Sequence, residues 1–151
     1  MNLPIGEVIV GPVETSMEGT LVSTAVGGLE VPLPNPVEVV AEKGKAVKVS
    51  CESKESLQQI QDSLNTDKWA SFVGEFAIGL NSKARIVTEF LESEKVRRTA
   101  HIAFGNNADY PQPTKNRSAN HMDFLFEEPT IVIERPGEEF TLVKDGEIVL
   151  S

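Results

Sequence analysis

Short stretches in which apolar and polar residues alternate occur along most of this chain of 151 residues. Alternation of this kind is typical of β-strands that bury one face. It predicts strands over 6–13, 19–26, 72–80, 99–105 and 121–129, a hairpin over 36–52 that turns at Gly44, and a meander over 130–151. Strands therefore dominate the predicted structure.

One stretch changes to the period of a helix. Between Ser53 and Asn65, apolar side chains recur at the spacing of a single helical stripe, namely at Leu57, Ile60 and Leu64. Ser53 is the predicted N-cap and Asn65 the predicted stop.

A second helix is predicted over 81–95, where Ile86, Phe90 and Leu91 would form the buried stripe. Residues 106–119 form a long polar loop with two prolines, and a loop of this length in a compact domain is more often functional than idle. The sequence contains no internal repeat and no linker. It predicts a single α+β domain, made mostly of antiparallel or mixed β-sheet or of a partial barrel, with two helices.

Composition narrows the function classes. The chain is 40% apolar and 25% charged, which is ordinary for a soluble globular protein, and it has no apolar run long enough to span a membrane. Its first residues lack the features of a signal peptide. The formal charge of −9 disfavours a nucleic-acid partner. The single Cys51 excludes an internal disulfide and fits a cytoplasmic location.

Four of the predicted strands share one arrangement of side chains. Because successive residues of a strand point to opposite faces, each strand has an apolar back and a front with one or two acidic or histidine side chains, mostly beside small residues. The backs include Val8, Val10, Phe76, Phe104 and Phe124. The fronts carry the candidate metal ligands Glu7, Glu75, His101, His121 and Asp123.

The chemistry that suits this set is metal binding. Imidazole and carboxylate together favour zinc, cobalt, manganese or iron, and His121 and Asp123 lie about 7 Å apart along one face of a strand. Each residue alone has a simpler explanation, since a single glutamate on a strand usually faces solvent and a single histidine is usually structural. Only the joint pattern predicts a metal site.

Four blocks of this sequence resemble one known family: "NLPIGEV", "GEFAIGLN", "LESEKVRRTAHIAFG" and "SANHMDFLF". They resemble the C-terminal half of the thermophilic metallo-aminopeptidases, of the aminopeptidase T and aminopeptidase S type. The resemblance implies that residues 1–151 form a metal-binding C-terminal domain. It also implies a dimeric exopeptidase that removes N-terminal residues from peptides, such as leucyl amides, with two divalent ions of zinc, cobalt or manganese.

The resemblance also implies a role for each residue that matches a motif. The metal ligands would be Glu7, Glu75, His101, His121 and Asp123. Among these, Glu75 would be the carboxylate that bridges the two ions. Glu94 would be the general base or a further ligand, with Glu92 as the alternative residue for this position. Tyr110 would donate a hydrogen bond to the oxyanion that develops during the reaction.

Two other function classes stay open at this point. The chain also resembles a branch of ring-cleaving dioxygenases with the same fold, which binds one non-haem iron through two histidines and an aspartate. These ligands would be His101, His121 and Asp123 here. Glu7 and Glu75 would add carboxylates that a single-iron site does not need. The third class is a catalytically silent binding or assembly module that keeps vestigial ligands.

Overall fold

The structure is a computed structural model that describes residues 4–110 and 115–149. The last two residues of the predicted meander and residues 111–114 of the predicted loop 106–119 therefore lie outside the described residues. The two helices are α1 (Lys54–Leu64) and α2 (Phe90–Ser93). The strands are β1 (Glu7–Val10), β2 (Gly19–Ser23), β3 (Ala25–Val26), β4 (Val37–Glu42), β5 (Lys45–Ser50), β6 (Val73–Gly79), β7 (Thr99–Gly105), β8 (His121–Glu127), β9 (Ile131–Arg135), β10 (Glu138–Lys144) and β11 (Glu147–Ile148).

These strands form three sheets whose neighbouring strands are antiparallel. The central sheet has five strands in the order β1-β6-β7-β8-β3. A second sheet has the order β2-β4-β5, and a third has the order β11-β10-β9. None of the three closes into a barrel within the described part of the chain, and the predicted α+β class is confirmed.

The apolar core lies behind the central sheet, between its back face, the β2-β4-β5 sheet and α1. Its fully or nearly buried members are Leu21, Val26, Leu29, Val37, Val39, Ile60, Leu64, Val73, Phe104, Met122 and Phe124. The rings of Phe104 and Phe124 meet edge to face with their centroids 5.7 Å apart, a favoured aromatic geometry. The central strands are thus anchored by their backs, which leaves their fronts available for polar side chains.

The apolar back of β1 is exposed. Val8 and Val10 are 54% and 51% exposed, and β1 is an edge strand of the central sheet.

Helix α1 follows the sequence pattern closely. The Ser53 side chain caps its first turn by accepting a hydrogen bond from the N–H of Ser56, and Asn65 ends the helix as predicted. Ile60 and Leu64 are buried, whereas Leu57 is half-buried. No helix in the described residues is long and apolar enough to cross a membrane.

The second predicted helix is wrong for most of its length. Helix α2 spans only Phe90–Ser93, residues 81–89 are irregular, and Leu91 is 51% exposed rather than buried. Side-chain oxygens of α2 accept hydrogen bonds from the N–H groups of Arg85 at 3.0 Å and Val87 at 2.8 Å. These side chains satisfy backbone donors that a longer helix would have used, which favours the irregular conformation.

Replacing Phe124 by alanine should lower the free energy of unfolding by about 3–5 kcal/mol, because it leaves a cavity in a closely packed core. Urea denaturation measures the change. Val22→Ala is the matched control, since the Val22 side chain is 47% exposed, and it should change the free energy of unfolding by less than about 0.5 kcal/mol. A loss below about 1 kcal/mol for Phe124→Ala would contradict its place in the core.

Candidate metal centre

Strand pairing sets the spacing of the polar side chains on the front of the central sheet. Glu75 of β6 lies opposite Ala103 of β7, which lies opposite Asp123 of β8. Two residues further along β6, and on the same face, Ala77 lies opposite His101 of β7. The alanines keep the front open, so that the longer side chains can converge above it.

His121 is the first residue of β8, where it pairs with Gly105, the last residue of β7. Gly105 has φ of +115°, and a side chain there would lie 2.2 Å from the carbonyl oxygen of Asn120. Only glycine fits this close approach. The His121 Nδ1 lies 2.9 Å from the carbonyl oxygen of Asn106. Nδ1 donates to this carbonyl, which points Nε2 toward the front of the sheet.

Glu7 joins the front from the edge strand, where it pairs with Gly79 of β6. A side chain on Gly79 would come within 2.0 Å of the carbonyl oxygen of Val96, so the glycine allows the segment after α2 to cross the sheet at this point. The N–H of Asn81 donates to the carbonyl of Lys95 at 2.7 Å and holds the crossing segment in place.

Glu75 lies at the centre of the site and contacts both histidines. Its Oε1 is 3.1 Å from His101 Nε2, and its Oε2 is 3.2 Å from His121 Nε2. The hydroxyl of Tyr110 donates a hydrogen bond to the same Oε2. Both oxygens of one buried carboxylate are thus shared between the two halves of the site.

The five candidate ligands fall into two groups that share Glu75. Within each group the ligand atoms lie within 4.8 Å of one another. One group is Glu7, Glu75 and His101, and the other is Glu75, His121 and Asp123. Three of the five are buried more deeply than strand residues with these side chains usually are, namely His101 at 0%, Glu75 at 4% and Asp123 at 6% exposure.

The donor set fits divalent cations. Glu7 Oε2 and Asp123 Oδ1 are buried and have no hydrogen-bond partner among the described residues, and they lie 3.8 Å and 3.9 Å from His101 Nε2. A buried carboxylate oxygen without a partner is costly. A cation bound among these atoms would remove that cost, and the mixture of carboxylate and imidazole suits zinc, cobalt or manganese.

The same contacts shift the pKa values of the ligands. Burial acts to raise the pKa of Glu75, but the hydrogen bonds that its carboxylate accepts, first from His101 and then from His121 and Tyr110, hold the pKa well below its ordinary value. Burial acts to lower the pKa of His121, whereas Asp123 and Glu75 raise it to about 11. A divalent cation would therefore compete with protons for these ligand atoms.

Glu94 and Glu92, the alternatives for the general base, lie in different surroundings. Glu94 Oε2 is 2.5 Å from Lys95 Nζ, and burial raises the pKa of Glu94. Its carboxylate borders the site without belonging to either ligand group. Glu92 instead uses its Oε1 to accept the N–H of Arg85 at 3.0 Å. The geometry favours Glu94 over Glu92 as the acid beside the metal centre.

Lys95 also borders this site, although no pattern in the sequence singles it out. It is 1% exposed, and its Nζ lies 2.7 Å from Glu7 Oε1 as well as beside Glu94. A lysine in an irregular segment is usually exposed. Lys95 is buried because the segment after α2 crosses the sheet at Gly79, and no local sequence pattern predicts that crossing.

Two buried or half-buried acids hold the ends of the loop that carries Tyr110, and the sequence did not single them out either. Glu14 Oε1 accepts from the N–H of Lys115 at 2.5 Å and from the Asn107 amide at 3.3 Å. Asp67 Oδ2 accepts from the N–H of Ala119 at 2.9 Å. These bonds join the two ends of the loop to Glu14 and Asp67, which are far from the loop in sequence.

Comparison with known proteins decides the family. The model of the thermophilic metalloprotease (M29) family matches residues 1–148. The chain belongs to this M29 family. No curated protein sequence matches it significantly.

Two solved structures share the fold. Wild-type AmpT from Thermus thermophilus matches with a TM-score of 0.79 and 22% identity, over 98% of this chain and 40% of that chain. The 2,5-dihydroxypyridine dioxygenase from Pseudomonas putida KT2440 matches with a TM-score of 0.74 and 16% identity, over 95% of this chain and 43% of that chain. This M29 chain thus spans less than half the length of either protein, and at these identities the likeness extends to the fold alone.

Glu14→Ala should speed hydrogen exchange of the Lys115 amide by roughly tenfold, because the amide loses its charged acceptor. Mass spectrometry of deuterium uptake measures this rate. Glu38→Ala, a replacement of an exposed glutamate on β4, is the matched control and should leave the rate unchanged. Equal rates in all three proteins would show that Glu14 does not anchor the loop.

Proposed function

We propose that this chain is the metal-binding catalytic domain of an aminopeptidase, which removes N-terminal residues from peptides with two divalent cations. Membership of the M29 family supports a metal-dependent peptidase. The observation that carries the two-metal proposal is the position of Glu75, which belongs to both ligand groups. Its Oε1 lies 3.1 Å from His101 Nε2 in one group, and its Oε2 lies 3.2 Å from His121 Nε2 in the other.

Each cation would be held by one of the two groups, with Glu75 between them. Glu7 and His101 would complete the first site, and His121 and Asp123 would complete the second. Zinc, cobalt and manganese all suit these ligands. When bound, such cations polarise a carbonyl group and lower the pKa of a bound water.

The proton transfers would fall to Glu94. Its carboxylate borders the ligand groups, and burial raises its pKa above the ordinary value, which makes the carboxylate a stronger base. Glu94 would accept a proton from the attacking water and deliver it to the amine that leaves.

Tyr110 would supply a hydrogen-bond donor. Burial, followed by its hydrogen bond to Glu75, raises the pKa of the phenol, so the hydroxyl stays protonated. Once a cation takes its place at Glu75 Oε2, this single O–H would be free to donate to a developing oxyanion. The free amino terminus of a peptide would bind one of the cations as a neutral amine, or one of the acids of this front.

Glu75→Ala should abolish the binding of both cations, because the substitution removes a ligand from each group. Metal analysis of the purified protein after dialysis against zinc or cobalt measures the loss. Glu89→Ala is the matched control, since Glu89 is an exposed neighbour of α2, and it should keep the metal content of the parent. A Glu75→Ala protein with undiminished metal would refute the bridging role.

Glu94→Gln should lower kcat for a leucyl amide by about 10²–10⁴-fold, because the amide cannot accept the proton. The metal content should not change, since Glu94 lies outside both ligand groups. Glu92→Gln is the control and should keep kcat close to the parent value. If instead Glu92→Gln has the larger effect, the assignment of the base to Glu94 is wrong.

A second candidate is a ring-cleaving dioxygenase. His101 Nε2 and His121 Nε2 lie 3.9 Å and 3.5 Å from Asp123 Oδ1, so these three residues could bind a single iron, and the fold is shared with the Pseudomonas dioxygenase. Glu7 and Glu75 favour the peptidase. One iron per chain with oxygen-dependent ring opening would support the dioxygenase, and failure to bind any metal would point to a silent binding module.

A further inference from the structure

Lys95 is the largest fully buried side chain in the described part of the protein. Its Nζ lies 2.7 Å from Glu7 Oε1 and 2.5 Å from Glu94 Oε2. A buried ammonium loses its hydration and is stable only with close, well-placed partners. The two carboxylates are these partners, and each belongs to a different part of the proposed site.

The backbone fixes the position from which Lys95 reaches these acids. The segment after α2 crosses the sheet directly above Gly79, where no side chain would fit. The N–H of Asn81 donates to the carbonyl of Lys95, and the N–H of Arg97 donates to the carbonyl of Asn81 at 3.0 Å. These two bonds hold the backbone of residues 95–97 against Asn81, so the Lys95 side chain starts from a fixed position.

The contact with Lys95 determines which oxygen of Glu7 is available to a cation. Oε1 is occupied by the ammonium, whereas Oε2 is buried, has no hydrogen-bond partner among the described residues, and lies 3.8 Å from His101 Nε2. Glu7 thus presents one oxygen to the first ligand group. Free rotation of its carboxylate would otherwise offer either oxygen or both.

The contact with Lys95 also separates the roles of the two glutamates. Glu94 uses Oε2 to hold the ammonium, and it lies in neither ligand group. A carboxylate this close to two cations would tend to become a further ligand, and it would then no longer be free to accept a proton.

We propose that Lys95 is a positioning residue of the metal centre, which turns one oxygen of Glu7 toward the first cation and keeps Glu94 out of the ligand set. This inference rests on the proposed two-metal function. Residues that orient metal ligands in this way typically change metal affinity by 10–100-fold when they are removed.

The substitutions Lys95→Met and Lys95→Met/Glu94→Gln separate position from charge. Glu7, Glu94 and Lys95 together carry one negative charge in the parent, and the double variant keeps the same charge through Glu7 alone. If Lys95 acts only through its charge, the double variant should bind metal like the parent. If it acts by holding Glu7, both variants should be impaired.

The parent and both variants are compared in two measurements. Calorimetry measures the affinity for cobalt, and the visible absorption spectrum of bound cobalt reports its coordination geometry. We expect about 10–100-fold weaker binding of one of the two cations in both variants, with the other retained. The cobalt spectrum should change with it. Lys48→Met, a replacement of an exposed lysine in the β2-β4-β5 sheet, should match the parent.

Kinetics with a leucyl amide at saturating cobalt give a further readout. Lys95→Met should lower kcat by about tenfold or more while KM stays close to the parent value, since the lysine acts through Glu94 and not on the substrate. If Lys95→Met does not fold, the double variant carries the test, because it removes two facing charges together.

The outcomes separate this inference from the function beneath it. A parent protein that binds no cobalt would overturn the proposed function and the role of Lys95 with it. A parent that binds two ions, beside Lys95 variants with the same affinity and spectrum, would overturn the role of Lys95 alone. Recovery of full affinity in the double variant would show that Lys95 acts by charge, and would also overturn the positioning role.

Discussion

The register of β6, β7 and β8 is the constraint on which the site depends. It places Glu75, Ala103 and Asp123 in one row across the central sheet. A slip of one residue would turn every ligand to the opposite face. The apolar backs of β7 and β8 prevent the slip, because Phe104 and Phe124 would have to leave the core. Hydrophobic packing behind the sheet thus fixes polar geometry in front of it.

The front of the sheet concentrates charge that a folded protein normally avoids burying. Four carboxylates and one ammonium converge there, contributed by Glu7, Glu75, Glu94, Asp123 and Lys95. Hydrogen bonds from the two histidines and from Tyr110 offset part of the cost, but Glu7 Oε2 and Asp123 Oδ1 keep no partner among the described residues. A surplus of buried negative charge is destabilising by itself, and it becomes favourable when cations bind. The side chains that would bind metal therefore destabilise the metal-free protein, and bound cations would remove that destabilisation.

Local periodicity was enough to predict most of this fold. The strands with strong alternation and the capped helix α1 form where the pattern puts them, because alternation and capping depend on residues that are close in sequence. The second helix failed for a physical reason: the side chains of α2 compete for the backbone donors at Arg85 and Val87. The exposure of the back of β1 could not be predicted either, since alternation reveals the two faces of a strand but not what covers them.

The candidate ligands could be selected from the sequence because strand alternation and antiparallel pairing put them on one face. Lys95, Glu14 and Asp67 could not, since their contacts join irregular segments far apart in the chain. In particular, Lys95 is buried only because glycine at position 79 lets another segment cross the sheet. A sequence shows that a glycine is present, but not which backbone approaches it.

The position of bound metal tests the central claim most directly. Crystals of the cobalt-loaded protein, recorded at the cobalt absorption edge, would locate each ion by anomalous scattering. The account predicts two peaks about 3.5–4 Å apart on either side of the Glu75 carboxylate. One peak, bound by His101, His121 and Asp123 without Glu75, would contradict it.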